Sequence, residues 1–271
     1  MNSTRGRLTK DGIRIYGPDD FVGMAEAGRI AATILDDIVP HIIVGQTTFE
    51  IDRVIADMVT AHGAKSATIG YKGYKHASCI SVNHVVCHGI PGDKKFKEGD
   101  ILNIDVTVIV DGWFGDTSRM YVAGKLPRKS ERLIEVTHEA LFKGIEAIKP
   151  GSTFGDIGHA IQSFVEGHRM SVVKDFCGHG LGRVFHAPPN VLHYGRAGTG
   201  PVLEEGMFFT IEPMVNLGRS ETKVLADDWT AVTRDKSLSA QFEHSVGVTA
   251  TGFEIFTLSP KNVFHPTYGC L

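Results

Sequence analysis

What most limits the folds open to this 271-residue chain is a set of acids placed where acids fit poorly. Asp105 interrupts Ile101-Leu102-Asn103-Ile104-Asp105-Val106-Thr107-Val108-Ile109-Val110, a run that otherwise reads as a strand. Asp116, His179, Glu212 and Glu243 follow in similarly strand-like, apolar surroundings. Acids are depleted from strands, and a buried charge is costly unless it is paired or bound to a metal. Four acids and one imidazole in such settings suit two hard or borderline divalent cations that share bridging carboxylates. A fold that satisfies these residues must bring five separated segments to one place.

The remaining composition permits one large α/β domain or two small ones, with 42% hydrophobic and 22% charged residues to build and solvate a core. A net charge of −3 and the absence of a basic patch argue against nucleic acid as a partner; Lys94-Lys95 with Lys97 reads as a solvated turn. The opening Met1-Asn2-Ser3-Thr4-Arg5-Gly6-Arg7 lacks the apolar stretch of a secretory signal, and no run reaches the roughly 18 apolar residues of a membrane span. Cys79, Cys87, Cys177 and Cys270 form no Cys-x-x-Cys pair, so free thiols in a reducing cytoplasm are expected.

The chain repeats itself once. Apolar spacing predicts a helix over 19–39, with Phe21, Met24, Ala25, Ala31, Leu35 and Ile38 on one face and Pro40 as its stop. A capping box, Thr47-Thr48-Phe49-Glu50, opens a second helix through Ile51, Ile55, Met58 and Val59 to Gly63. Strands are expected over 78–90 and 100–121. The same order returns with a helix from Ser130 to Ile148, another from Thr153-Phe154 through Ile157, Ile161, Phe164 and Val165, and strands near 207–215 and 240–258. Glu98-Gly99-Asp100-Ile101-Leu102-Asn103-Ile104-Asp105 aligns with Glu205-Gly206-Met207-Phe208-Phe209-Thr210-Ile211-Glu212, which sets Asp105 and Glu212 107 positions apart. The two helix starts align at a similar offset with one insertion. The expected fold is therefore α/β (α+β): two pseudo-twofold-related halves, roughly 16–122 and 128–258, forming one domain over 1–271 behind an N-terminal extension of residues 1–15.

Asp111-Gly112 is a strong two-residue turn signal between apolar runs. It predicts that Val110 pairs with Trp113, Thr107 faces Asp116 and Asp105 faces Ser118. The two aspartates then project from one face as diagonal neighbours, a separation that suits two ions better than one. Taken alone, Asp116 reads equally well as a turn acid, and His179 in Cys177-Gly178-His179-Gly180-Leu181-Gly182 as part of a glycine loop or a weak phosphate cradle. The five together favour a dinuclear site.

Asn103-Ile104-Asp105-Val106-Thr107, Gly115-Asp116-Thr117-Ser118, Cys177-Gly178-His179-Gly180, Thr210-Ile211-Glu212-Pro213 and Gln241-Phe242-Glu243-His244, with Cys87-His88-Gly89-Ile90-Pro91 ahead of them, closely resemble the type I methionine aminopeptidases. The likeness runs from about residue 15 to 258. It implies the pita-bread fold, with antiparallel sheet flanked by helices, and removal of the initiator methionine from new polypeptides with a small second residue. It further implies two divalent ions (Co, Mn, Fe or Zn), with Asp105 on one, His179 and Glu212 on the other, and Asp116 and Glu243 bridging. The attacking group would be a water or hydroxide between the ions. Glu212 would shuttle the proton, His88 would contact the scissile nitrogen and His186 the carbonyl oxygen. Tyr71, Tyr74, Cys79, Phe185 and Trp229 would receive the methionine side chain. Read without the family, a histidine beside Phe185 and these aromatics are ordinary core residues.

Thr68, Lys72, Lys75-His76-Ala77 and Ala187-Pro188-Pro189 depart from the family pattern; none is a ligand, and they bear on subsite preference and loop shape. A proline-specific aminopeptidase or prolidase shares the fold and ligands but carries a substantial N-terminal domain, whereas 104 residues precede Asp105. A type II enzyme needs a late helical insertion, and the 32 residues between His179 and Glu212 and the 30 between Glu212 and Glu243 leave no room for one. A non-catalytic binding protein of this fold is expected to lack ligands that are all present here. The expected partners are the N-termini of nascent chains, with no nucleic acid and no membrane; a cytoplasmic monomer is anticipated, and no docking motif marks a transient ribosome contact.

Overall fold

The computed structural model describes residues 6–268, so Cys270 and the first five residues of the extension lie outside the described part. Residues of the extension that are described form a hairpin, β1 (Arg7–Leu8) with β2 (Arg14–Ile15), anchored by buried Ile13 and a bridge from Ile15 to Met207. Helix α1 (Pro18–Asp37) opens with Pro18 at its first position, where no N–H partner is needed, and the Gly17 N–H donates to the Asp20 carboxylate at 2.9 Å. It closes at Asp37, and Pro40 lies inside a separate 3₁₀ turn, Val39–His41. Its buried face is wider than the expected stripe, adding Ala27, Gly28, Ile30, Ala32 and Ile34, because α1 faces two cores at once.

Helix α2 (Thr48–Ala61) begins at the expected box: Thr47 Oγ1 accepts from the Glu50 N–H and the Glu50 carboxylate accepts from the Thr47 N–H at 2.7 Å. Strands β3 (Lys65–Ser66), β4 (Cys79–Val82), β5 (Val85–Cys87), β6 (Ile101–Val110) and β7 (Trp113–Val122) follow. Asp111 and Gly112 both take positive φ, 49° and 83°, so the hairpin turn matches the twist of its strands. The register pairs Val110 with Trp113, Thr107 with Asp116 and Asp105 with Ser118, as the turn predicted. Ile34, Leu35, Ile51, Ile55, Leu102, Ile104 and Val106 join the helices to this sheet in one core.

The second half repeats the plan with α3 (Arg128–Glu146) and α4 (Phe154–Gly167). The Thr153 N–H donates to Asp156 at 2.7 Å, so the caps of α2 and α4 correspond residue for residue, without the insertion expected at that point. The strands are β8 (Ser171–Val172), β9 (Gly178–Gly180), β10 (Ala187–Val191), β11 (Phe208–Ile211), β12 (Met214–Asn216), β13 (Thr222–Val224), β14 (Ala231–Thr233), β15 (Ser239–Gln241), β16 (His244–Val248) and β17 (Phe253–Ile255). Strands β8, β9, β13 and β14 are too short for hydrophobic periodicity to reveal, and β10 carries Pro188-Pro189, which reads against a strand. All strand pairings among the described residues are antiparallel. The second core holds Leu133, Leu141, Ile157, Ile161, Phe209, Ile211 and Val246. No helix among the described residues is long and apolar enough to cross a membrane.

The halves are sewn together beside the strands that carry the acids. Strand β5 pairs with β14. The Glu243 N–H donates to Ser118 O at 3.0 Å, Thr117 Oγ1 to Glu243 O at 2.7 Å, Ser245 Oγ to Asp116 O at 2.6 Å, and Asn103 Nδ2 to Gln241 O at 2.8 Å. Farther out, buried Asp36 accepts from Arg119 Nη1 at 2.5 Å, from Ser259 Oγ at 2.7 Å and from the Lys261 N–H at 3.1 Å.

Helix α1 crosses β7 at Gly115, where a Cβ would lie 2.2 Å from the Ala27 carbonyl oxygen. That neighbour is backbone and has no rotamer to yield. Gly115→Ala is expected to cost about 1–3 kcal/mol in urea unfolding and to weaken divalent-ion binding through the adjacent Asp116. Unchanged stability would show that this crossing tolerates separation.

Candidate metal centre and its cavity

The hairpin presents Asp105 and Asp116 from one face, while β4 sets Cys79 opposite Asp105 on its other side. His179 is the middle residue of β9, flanked by glycines for a packing reason: a Cβ at Gly178 would meet Thr210 O at 2.4 Å, and one at Gly180 would meet Pro188 O at 2.1 Å. The Gly178–Gly180 segment is therefore a strand pressed between β10 and β11, not a loop. Glu212 follows the last residue of β11, and Glu243 lies in the break between β15 and β16. All five line one cavity of about 860 Å³.

Donor atoms of Asp116, His179 and Glu243 all lie within 4.8 Å of one another. His179 Nε2 is 3.5 Å from Asp116 Oδ2 and 3.7 Å from Glu212 Oε1. Its Nδ1 lies 3.2 Å from Gly180 O, an arrangement that keeps a proton on Nδ1 and turns Nε2 toward the acids, where a second proton or a cation can sit. The carboxylates are trimmed by further side chains. Thr107 Oγ1 donates to Asp116 Oδ1 at 2.7 Å, and Thr210 Oγ1 to Glu212 Oε1 at 2.8 Å while accepting from the His179 N–H. Gln241 Nε2 donates to Glu212 Oε2 at 3.3 Å, and His193 Nε2 accepts the Glu212 N–H at 3.0 Å. Thr107 was legible as the partner of Asp116 across the turn. Gln241 and His193 carry no local signal of their role.

Burial first, then repulsion from Asp116 and Glu212, holds Asp105 and Glu243 well above the usual carboxylate range. Burial lifts Glu212 to about 7, partly offset by the positive charge of His179. Burial would lower His179, but its hydrogen bond to Asp116 and the charges of Glu212 and Asp116 raise it to about 9. Without a cation the cluster keeps protons that acids normally surrender. That chemistry fits a site for divalent metal: oxygen-rich, desolvated and short of positive charge.

The same cavity is lined by His88, His186, Tyr71, Tyr74, Cys79, Phe185 and Trp229, so it gathers every site residue singled out from the sequence. Tyr74 and Trp229 rings lie 4.9 Å apart, as do those of Tyr71 and Phe185. His186 stacks on Tyr71 at 5.1 Å and lies 4.2 Å from the His179 ring. Burial and the charge of His179 lower His186 to about 4, and burial lowers His88, so both imidazoles are neutral near pH 7. His88 holds φ of 55°, an uncommon backbone state for a side-chain-bearing residue. Cys79, Cys87 and Cys177 are free thiols. Among the family departures, Thr68, Lys72 and Ala187-Pro188-Pro189 line this cavity. His76 instead contacts Asp52 behind it, at 3.1 Å.

Residues 22–250 match the model of metallopeptidase family M24. The chain is 56% identical over 257 residues to the methionine aminopeptidase of Rickettsia prowazekii (strain Madrid E), covering 94% of this chain and 99% of that one. It is 51% identical over 248 residues to the methionine aminopeptidase of Escherichia coli (strain K12), covering 91% and 94%. The crystal structure of the Rickettsia prowazekii enzyme gives a TM-score of 0.90 over 91% of this chain and all of that one. A prolidase from Pyrococcus horikoshii OT3, 21% identical, shares the fold alone, with a TM-score of 0.71 over 63% of its own length. Likeness this long and this even across both halves establishes kinship: the chain belongs to metallopeptidase family M24, with methionine aminopeptidases among its near relatives.

Proposed function

We propose that this chain is a methionine aminopeptidase that removes the first residue of new polypeptides beginning with methionine and a small second residue. One observation carries the reading: a single cavity joins two buried carboxylates, Asp116 and Glu243, two half-buried ones, Asp105 and Glu212, and an imidazole to a recess walled by Tyr71, Tyr74, Cys79, Phe185 and Trp229. An apolar, polarizable recess suits a thioether, and the identity to methionine aminopeptidases points the same way. The free α-amino group of a chain end fits among the site carboxylates, whereas an internal peptide bond offers no such cation.

In this reading the whole chain works as one catalytic unit. Asp105, Asp116, His179, Glu212 and Glu243 would hold two divalent cations, with Asp116 and Glu243 shared; Co, Mn, Fe and Zn all suit these donors. When bound, the ions supply Lewis acidity and ease deprotonation of water near neutral pH. Glu212 is the group to hold and return a proton, with Thr210 and Gln241 fixing its two oxygens. Neutral His186 donates a hydrogen bond to the carbonyl oxygen of methionine as negative charge gathers there. Neutral His88, beside Trp229 and Phe176, meets the scissile nitrogen. The enzyme acts as a cytoplasmic monomer on nascent chains, with at most a passing contact to the ribosome.

With divalent metal, Met-Ala-Ser is expected to release methionine and Ala-Pro peptides to remain intact; chelation stops release. Failure with Co, Mn, Fe and Zn alike, or faster cleavage of Ala-Pro, would overturn the reading. Glu212→Gln should lower kcat by about 10²–10⁴-fold while the protein stays folded by circular dichroism; a loss under tenfold would remove Glu212 from proton transfer. A third expectation concerns pH. Because the folded, metal-free protein retains protons on Asp105, Glu212 and Glu243 that an unfolded chain releases, its stability falls as pH rises from the ordinary carboxylate range through the raised values. Binding must displace those protons, so the rise in Tm on adding Mn²⁺ should grow between about pH 5.5 and about pH 8. A rise independent of pH would contradict this cluster as the binding site.

A further inference from the structure

Lys72 is the one lysine that lines the cavity. It occupies a tight turn, Tyr71–Gly73, in which Gly70, Lys72 and Gly73 all take positive φ, 86°, 46° and 85°. A lysine gains nothing intrinsic from that backbone state, which persists when surrounding bonds impose it. Here the Gly70 N–H donates to Tyr74 O at 2.7 Å and the Tyr74 N–H to Tyr71 O at 2.9 Å, which closes the turn. The turn sets Lys72 Nζ 5.4 Å from the centre of the Tyr71 ring. No ion pair to Lys72 occurs among the described residues, and its side chain is exposed.

The position of this cation relative to His186 decides what it meets. Two steps separate them: His186 to the Tyr71 ring at 5.1 Å, and that ring to Lys72 Nζ at 5.4 Å. The reading proposed above, on which this inference rests, sets the methionine carbonyl at His186. These two steps set an upper limit on the separation, and an extended chain that advances about 3.3–3.6 Å per residue carries its second and third residues within that limit. The second is small and cannot reach the ammonium; the third can.

We propose that Lys72 is a specificity-determining residue that favours substrates with a carboxylate side chain, Asp or Glu, at the third position. The carboxylates of the site are committed to metal in the loaded enzyme and are not free to balance the Lys72 charge. Asp11, in the turn between β1 and β2, puts the opposite charge on the same cavity. The Lys72 contribution is therefore read as the difference between wild type and variant.

The test compares kcat/KM of the metal-loaded enzyme on Met-Ala-Asp, Met-Ala-Asn and Met-Ala-Lys peptides blocked as C-terminal amides. Wild type should prefer Asp over Asn by about 2- to 5-fold, the strength of a solvent-screened ion pair. Lys should be disfavoured, and the preference should shrink as NaCl is raised. Lys72→Arg should keep the Asp/Asn ratio, Lys72→Met should lower it, and Lys72→Glu should invert the order of Asp and Lys. Equal rates for Asp and Asn in wild type, or a ratio that survives Lys72→Met, would overturn the proposal. Methionine release from the Asn peptide reports on the aminopeptidase reading separately; if no peptide releases methionine, that reading falls and this inference with it.

Discussion

Like charges crowded into one cavity repel, and the elements around this site are arranged to withstand that force. Asp105 and Asp116 cannot drift apart because a hairpin of two ten-residue strands locks their register. Glu243 is tied by its own main chain to Ser118 on the opposing half. Glu212 is held at the backbone by His193 and at both oxygens by Thr210 and Gln241. A relaxed cluster would spread until water filled it. Here the scaffold keeps the acids close, and relief comes only from protons or cations.

The repulsion is also distributed between the halves. The first contributes Asp105, Asp116, His88, Tyr71 and Tyr74; the second contributes His179, His186, Glu212, Glu243 and Trp229. Neither half alone assembles a cation site or a side-chain recess. The hydrogen bonds from Thr117, Ser245 and Asn103 across the seam therefore act on the chemistry as well as on stability, since each ends within two residues of a metal-ligand candidate.

Much of this was legible before any coordinates. The Asp111-Gly112 pair specified the hairpin register, and with it the relation of Asp105, Thr107 and Asp116, because turn type and strand pairing are local. The capping box at Thr47 marked the start of α2 for the same reason, whereas the box that Thr153 forms with Asp156 is seen in the structure alone. What escaped were contacts set by tertiary packing. The glycines around His179 resemble a flexible loop in sequence, but they are a strand whose neighbours leave no room for Cβ atoms. His193 reads as one histidine among thirteen, and only the fold brings it to the backbone of Glu212. The wider buried face of α1 likewise depends on two cores meeting there.

The Asp36 junction has a consequence for how the molecule is made. Its carboxylate lies early in the chain, Arg119 arrives near the middle, and Ser259 is 223 residues downstream. A ribosome delivers these partners in that order, so a buried anion and guanidinium must wait for the hydroxyl and amide that complete their shell. Until Ser259 and Lys261 have been translated, water must complete the shell of the ion pair between α1 and β7, and the segment that carries those two residues supplies the clasp that replaces it.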